Sequence, residues 1–293
     1  MYGPDIIVRT LSEVRAFGVR ERRWQYHSRS DHHSSISCWA ILFDLLMSCR
    51  LLRKHVEDGK VGFGLNHELR DFHSNKKKRL DLVICRPQTP APIKGFHSKI
   101  LGRSVCTFSD LALHLEIPLS PAEIRDLASL PDLPIVPVGM VHVALEAKAA
   151  MTEFGKARPR LFSELDSSIT IINGHASHAV AAALVMVNSA DEFISPVRNT
   201  GNYDTPPIEK NRHREQPSPA GRVIETVAQL KRRSDDRERG FDAIGIIVVD
   251  MINDGSPCQL VTVAPAPSRS DSMHYDNLIN RAAAQYTQRF ASL

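Results

Sequence analysis

The chain has 293 residues, of which 42% are hydrophobic, and a formal net charge of +4. That apolar fraction can bury a sizeable core and so excludes wholesale disorder, while the small positive charge favours a polyanionic partner only weakly. The chain has neither about 18 consecutive apolar residues nor a charged-then-apolar leader, which predicts a cytoplasmic protein with no membrane span. Its five scattered cysteines contain no Cys-x-x-Cys pair, which argues against a zinc ribbon and a disulfide framework.

The first third of the chain is predicted to form an arm, a helix and a hairpin. Residues 1–35 are polar and basic and indicate an N-terminal arm or edge segment rather than core. Apolar residues then recur at helical spacing from Ile36 to about His55, which predicts an amphipathic helix. Alternation predicts a strand over Val61–Leu69, a turn over Arg70–Arg79 and a second strand over Leu80–Cys85, paired as an antiparallel hairpin.

The middle of the chain is harder to interpret because residues 86–137 are rich in proline. One helix is predicted there, near Pro121–Leu130, with Ser120 as its N-cap. Val138–Leu145 is apolar almost throughout, which predicts a third strand that is covered on both faces. A further helix is predicted to begin near Arg158, since the proline that follows is tolerated in a first turn.

The last third is predicted to hold five segments: a strand over Ala181–Val187, a long loop or linker over 196–220, a basic helix over Gly221–Arg233, a strand over Ala243–Met251 and a closing helix over Asp276–Phe290. The late apolar strand is best placed in the same sheet as the earlier ones, which favours a single domain over residues 1–293. The predicted fold class is α/β (α+β), with a mixed central β-sheet flanked by helices on both faces. In this division the core is 36–195, with 86–137 as an insertion, and 221–293 completes the sheet.

The tripeptide Glu146-Ala147-Lys148 is predicted to end the third strand. Period-two geometry places Glu146 and Lys148 on one face, and Asp81 is the only acid inside the second strand. If these strands are neighbours, Asp81 and Glu146 can converge on Mg²⁺ (Mn²⁺ is possible), which prefers oxygen ligands and keeps several waters. Lys148 would then orient a nucleophile and stabilise charge in a transition state. The alternative is an ordinary ion pair at a strand end.

This combination resembles the PD-(D/E)XK nuclease superfamily, the restriction-endonuclease-like fold. The core of that family is a helix, three antiparallel strands, a helix and a fourth strand, matched here from about Ile36 to Asn188. The resemblance implies that Asp81 is the motif's aspartate, Glu146 its second acid and Lys148 its lysine. It also implies a Mg²⁺-dependent endonuclease acting on DNA, most commonly a prokaryotic restriction or defence enzyme, and a homo-oligomer, expected to be a dimer, in which two sites address two strands.

Two departures from the family pattern stand in the sequence. Leu80 occupies the position of the motif's proline, and 65 residues separate Asp81 from Glu146. The second departure requires residues 86–137 to be an insertion between two adjacent strands. The prediction therefore depends on whether the fold brings Asp81 and Glu146 together.

Other residues form a second group of candidates. Glu68 is predicted to lie roughly opposite Asp81, either as a further metal ligand or base or as a solvent-side carboxylate. The cationic candidates for binding a nucleic-acid backbone are Lys76, Lys77 and Lys78 at the hairpin tip, and Lys156, Arg158 and Arg160 at a helix N-terminus. The alternative for each cluster is an ordinary solvent-exposed turn that binds no nucleic acid.

Histidine pairs and aromatic residues suggest further sites that we consider weaker. His32 with His33, and His175 with His178, lack partners at zinc spacing, and Trp24 and Tyr26 can either stack on bases or pack an arm. Two rival functions stay open. One is a non-catalytic nucleic-acid-binding protein on the same fold, against which the intact acid, acid and lysine set argues, and the other is an unrelated α/β protein with a small-molecule site.

Overall fold

The computed structural model describes residues 1–17, 21–71, 75–88, 105–235 and 237–293. Within these ranges the elements are, in chain order, α1 (Gly3–Leu11), β1 (Arg15–Phe17), β2 (Arg22–Trp24), α2 (His32–Ser48), α3 (Arg50–Glu57), β3 (Gly62–Arg70), β4 (Lys77–Pro87), α4 (Phe108–His114), α5 (Pro121–Ser129), β5 (Val138–Ala150), α6 (Phe154–His175), β6 (Val180–Asn188), β7 (Glu192–Ile194), β8 (Lys210–Arg212), α7 (Ser218–Ala228), β9 (Ala243–Asp250), β10 (Gln259–Val261) and α8 (Tyr275–Phe290).

The centre of the molecule is a six-stranded sheet in the order β10-β9-β6-β5-β4-β3. Strands β3, β4 and β5 pair antiparallel, β5, β6 and β9 pair parallel, and β10 returns antiparallel at the edge. Helices α1, α2 and α8 cover one face and α6 and α7 the other, so that alternate residues of each strand enter two separate cores. The predicted α/β class, a mixed sheet flanked by helices, is confirmed.

The N-terminal segment is part of the core, so the prediction of an arm over residues 1–35 was wrong. Helix α1 packs against α2 and buries Ile6, Ile7 and Leu11. Trp24 is also fully buried. The apolar side chains in this segment are few and lie among many arginines, but helical spacing gathers them on one face of α1. The burial of that face places the segment in the core, although its average composition is basic.

The predicted helix Ile36–His55 is two helices, α2 and α3. The helix is interrupted at Cys49, whose backbone is extended (φ −102°, ψ 96°), and the axes of α2 and α3 differ in direction by 96°. Among the described residues no single helix is long and apolar enough to cross a membrane, and only this bent pair meets that test jointly, by length and composition.

The insertion lies between two adjacent strands, as the spacing requires. Strands β4 and β5 are neighbours, with Leu82 opposite Leu145 and Val83 opposite Ala144. Residues 89–104 of the insertion fall outside the described residues. The remainder contains α4 and α5, and the predicted N-cap Ser120 forms a capping box with Glu123 at the start of α5.

Three element boundaries near the candidate site differ from the prediction. Strand β5 continues to Ala150, so Glu146 and Lys148 lie inside the strand, where β6 pairs with them, rather than at its end. Strand β4 begins at Lys77, which shortens the turn. Helix α6 begins at Phe154, directly after a turn in which Glu153 adopts a left-handed conformation (φ 49°).

Residues 196–220 are not a simple exposed linker. They contain β8, which pairs with β7, and the first residues of α7. Asn199 is buried, and its side-chain amide donates to the carbonyl oxygens of Ser195 at 2.9 Å and Glu209 at 3.0 Å. The basic helix predicted to reach Arg233 ends at Ala228.

Candidate active site

The structure brings Asp81 and Glu146 onto adjacent strands and closes the 65-residue gap between them. Asp81 directly precedes the Leu82–Leu145 pair, and its Oδ2 accepts a hydrogen bond from the backbone N–H of Ala147 at 2.9 Å. On the neighbouring strand β3, Asn66 lies between the residues that pair with Leu80 and Leu82, in a left-handed conformation (φ 50°) that asparagine tolerates. Asp81 is therefore anchored to the strand that carries the other candidate residues.

Glu146 is completely buried, beneath α6. Its Oε1 lies 2.6 Å from Lys148 Nζ and 3.7 Å from Lys78 Nζ, and it accepts a 3.3 Å hydrogen bond from Ser168 Oγ. Its Oε2 is also buried but has no hydrogen-bond partner among the described residues. Since an unsatisfied buried carboxylate oxygen is costly, this atom points to a ligand that the protein itself does not supply.

The charges around Glu146 act on it in opposite directions. Burial raises the pKa of its carboxyl, and the negative charge of Asp81 raises it further, whereas Lys148 and Lys78 lower it. For Lys148, burial disfavours the ammonium, but the carboxylates of Glu146 and Asp81 outweigh it and raise the pKa. Lys148 is therefore a cation at neutral pH that is paired with Glu146 and stabilised further by the charge of Asp81.

Lys148 extends from its ion pair with Glu146 into a cleft of about 620 Å³. Its side chain is 21% exposed, whereas Glu146 lies beneath it at 0%. The walls are the end of β5, the first turns of α6, residues 28–34 and residues 193–198, and the lining cations are Arg29, Lys148, Lys156, Arg160 and Arg198. The lining carboxylates are fewer: Asp31, Glu153 and Glu164. The cleft is therefore suited to an anionic substrate.

The predicted phosphate-binding residues of α6 divide between two surfaces. Lys156 and Arg160 line the cleft, and Arg160 Nε is held by Glu164 Oε1 at 2.7 Å. Arg158 lies on an adjoining groove instead, because residues two apart on a helix point in different directions.

The predicted hairpin residues also divide. Lys78 lies in β4 and reaches Glu146, but Lys77 pairs with Glu68 at 2.7 Å on the surface, where both side chains are about half exposed, and Lys76 is exposed. Glu68 lies opposite Arg79 rather than Asp81. The structure therefore engages Glu68 in a surface ion pair and does not place it with Asp81 and Glu146 as a metal ligand.

The cleft is also lined by Arg29, His33 and Arg198, which are among the lining residues that were not predicted as site residues. His33 stands against Tyr26 with 5.0 Å between ring centroids. Burial lowers the pKa of His33 to about 4, and the nearby charge of Lys148 contributes, so its ring is neutral at pH 7. Its pairing with His32 in the sequence hinted at a site, but nothing local indicated that the start of α2 would face β5.

The acids present fit a small hard cation. Among the described residues no group of three or more histidine, cysteine or acidic side chains is arranged to hold a metal ion. Mg²⁺ keeps several of its waters, however, and needs only one or two protein carboxylates. Asp81 and Glu146 supply two carboxylates on neighbouring strands, and the unpartnered Oε2 of Glu146 is an oxygen of the required kind.

Comparison with known proteins identifies no relative. No family model matches the chain, and neither a curated protein nor a solved structure matches it significantly.

Proposed function

We propose that this chain is a metal-dependent endonuclease of the PD-(D/E)XK type that hydrolyses DNA phosphodiester bonds. The observation that carries the proposal is one arrangement: Asp81 beside a fully buried Glu146, and Lys148 bridging from Glu146 into a cation-lined cleft. A buried acid with an unused oxygen next to an anion-binding cleft is an expected feature of a site that holds a metal ion against a phosphate.

The order of elements around the site supports the same proposal. Apart from α3 after α2 and the inserted helices α4 and α5 between β4 and β5, helix α2 is followed by the antiparallel strands β3, β4 and β5, then by α6 and the parallel strand β6. That is the order of the superfamily core. A restriction or defence role, and a dimer that cuts both strands, are proposed by analogy with that superfamily.

The residues of the site would divide the chemistry between them. Asp81 and Glu146 would hold Mg²⁺, or Mn²⁺, which when bound supplies Lewis-acid polarisation and a nucleophile at neutral pH. Lys148 stands between Glu146 and the cleft, where its ammonium can orient the attacking water and stabilise negative charge on the phosphoryl group. Lys156 and Arg160 would hold the phosphates on either side.

Plasmid nicking with Mg²⁺ and with EDTA tests this proposal. We expect the wild type to nick the plasmid in Mg²⁺ and not in EDTA. The nicking rate should fall about 100-fold or more in Lys148→Ala and in Glu146→Gln, the size typical for removal of a transition-state contact. The matched controls are Lys77→Ala and Glu68→Gln, an acid–lysine pair of similar length (2.7 Å) on the surface of the β3–β4 hairpin. The controls should nick as fast as the wild type.

Each alternative function predicts a different result. A chain that binds DNA without divalent cations and never cuts it would be a non-catalytic binding protein on this fold. A chain that neither binds nor cuts would favour a small-molecule site. Glu146→Gln nicking at the wild-type rate would remove the site assignment outright.

A further inference from the structure

A second groove adjoins the cleft at the first turn of α6. Its volume is about 580 Å³, and it lies between that turn, β8 and the first turn of α7. Thr152, Glu153, Lys156 and Arg198 line both the groove and the cleft, so the two are continuous. Besides Lys156, the cations that line the groove are Arg158, Arg198, Lys210, Arg212, Arg214 and Arg222.

Most of this charge is not neutralised. Glu153 is the one carboxylate among the described lining residues. Lys156 and Arg198 pair with Glu153, and Lys210 pairs with Glu192. The other four arginines have no carboxylate within ion-pair distance among the described residues: Arg158, Arg212, Arg214 and Arg222. Like charges gathered in this way repel one another and favour a polyanion.

The segment that carries Arg212 and Arg214 is anchored to the fold by hydrogen bonds. His213 is buried, and its Nδ1–H donates to the carbonyl oxygen of Ala190 at 2.8 Å. Its Nε2 therefore accepts from the hydroxyl of Thr152 at 2.9 Å, and that hydroxyl oxygen accepts from Asn211 Nδ2 at 2.8 Å. These bonds attach β8 to the turn between β5 and α6.

The side chains of residues 210–214 alternate between two sides of the segment. Asn211 and His213 point inward to Thr152, so Lys210, Arg212 and Arg214 are exposed on the other side. Lys210 and Arg212 lie two residues apart in β8, a span of about 6.6–6.8 Å, and Arg214 follows in the turn after the strand, which gives a row of three exposed cations. Such a row suits the repeating phosphates of a nucleic-acid backbone better than a single small anion.

We propose that this basic groove, residues 152–158, 198, 210–214 and 219–222, binds the phosphate backbone of a DNA duplex that continues from the cleft. The assignment of DNA as ligand rests on the proposed function of the cleft, whereas the charge of the groove is independent of any catalysis. Contacts of this kind set the position of a duplex and carry no sequence information. The groove therefore holds the substrate, and the cleft acts on it.

Fluorescence anisotropy of a labelled duplex of about 20 base pairs, in EDTA and over a range of salt concentrations, tests the groove. The test variant is Arg212→Ala with Arg214→Ala. We expect its salt dependence, as log Kd against log salt, to be smaller by about 2, and its affinity to fall about 10-fold or more near 0.1 M salt. Arg212→Lys with Arg214→Lys keeps the charge and should retain most of the binding.

The matched control removes two arginines elsewhere. Arg50→Ala with Arg125→Ala makes the same change on α3 and α5, which pack on the opposite face of the sheet, and should bind as the wild type does. Equal loss in control and test variants, or wild-type binding by the test variant, would overturn the proposal. If the test variant is unfolded by circular dichroism, Arg158→Ala with Arg222→Ala replaces it with the same expectation.

The groove and the proposed function fail in different ways. Groove-dependent binding without nicking in Mg²⁺ would overturn the nuclease and leave the groove standing. Nicking in Mg²⁺ with binding that ignores the groove arginines would overturn the groove and leave the nuclease.

Discussion

Asp242 and Glu146 are two carboxylates that the molecule buries completely against cations, and their clusters are built differently. Asp242 is completely buried between Arg233 and Arg289, just before β9. Its Oδ2 also accepts from the backbone N–H of Ala181 at 2.8 Å. Glu146, equally buried, has a cation on Oε1 and no partner for Oε2 among the described residues.

The difference separates a structural cluster from a candidate functional one. Arg233 uses its remaining donors on the carbonyl oxygens of Ser177 and Ala179, so that the Asp242 cluster is closed and ties the starts of β6 and β9 together. The Glu146 cluster is incomplete and opens through Lys148 into the cleft. Buried charge alone thus does not mark a site, whereas an unsatisfied buried charge beside a cleft identifies a candidate for one.

The largest effect on stability is expected at the closed cluster. Asp242→Ala leaves Arg233 buried without its counter-ion, and removal of one partner from a buried pair typically costs about 3–5 kcal/mol. Urea unfolding of the variant and the wild type measures this loss. An Asp242→Ala protein as stable as the wild type would show that the two clusters do not differ in the way described.

A second effect concerns His142, a buried group on β5 that packs against Phe290 at 4.5 Å between ring centroids. Neither ring nitrogen has a hydrogen-bond partner among the described residues, and burial lowers its pKa from 6.5 to about 4. The unfolded chain therefore binds more protons between these values, so stability falls as the pH falls from 6.5 to 4.

Replacing this histidine should remove part of that acid sensitivity. Between pH 6.5 and 4, His142→Leu is expected to lose less stability than the wild type. The difference in the free energy of unfolding reaches up to about 3 kcal/mol when the whole pKa shift of His142 contributes. Urea unfolding at several pH values measures the difference. Parallel pH curves for the two proteins would contradict the assignment.

The open cluster should show the opposite pH dependence. The pKa of Glu146 is raised in the folded state, first by burial, so its contribution is most favourable below the ordinary carboxyl pKa and declines as the pH rises through the raised value. The stability of the wild type relative to Glu146→Gln should therefore decrease from acid to neutral pH. A difference that increases over that range would mean that Lys148 and Lys78 over-stabilise the carboxylate and that the cluster is structural.

The smallest effect is expected for the surface pair of Glu68 and Lys77. Both side chains are about half exposed, and exposed ion pairs contribute little to stability. Glu68→Gln should leave both urea unfolding and any nicking activity unchanged. A large loss of nicking in this variant would restore Glu68 as the metal ligand that the sequence suggested.

The sequence singled out three residues that the structure places next to one another in the candidate site, and it missed most of the residues that line the cleft. Asp81, Glu146 and Lys148 could be selected because each sits in a strongly apolar strand, where an acid or a lysine is unusual. Arg29 and Arg198 could not, because they lie in polar segments where one more arginine carries no signal.

The groove shows the same limit more sharply. Arg212 and Arg214 fall in the segment predicted as a loop or linker, and their common orientation depends on His213 and Asn211 bonding to Thr152, about 60 residues earlier in the chain. No local pattern encodes that contact.

Apolar periodicity along the chain was enough to predict the mixed sheet, the helices on both of its faces and the three strand residues at its centre, because periodicity reflects burial on one element at a time. It did not show that β4 and β5 would close the 65-residue gap, that Glu146 would lie inside its strand with one oxygen unpartnered, or which cations would share a cleft. Those properties depend on strand pairing and desolvation between distant segments, and only the assembled fold specifies them.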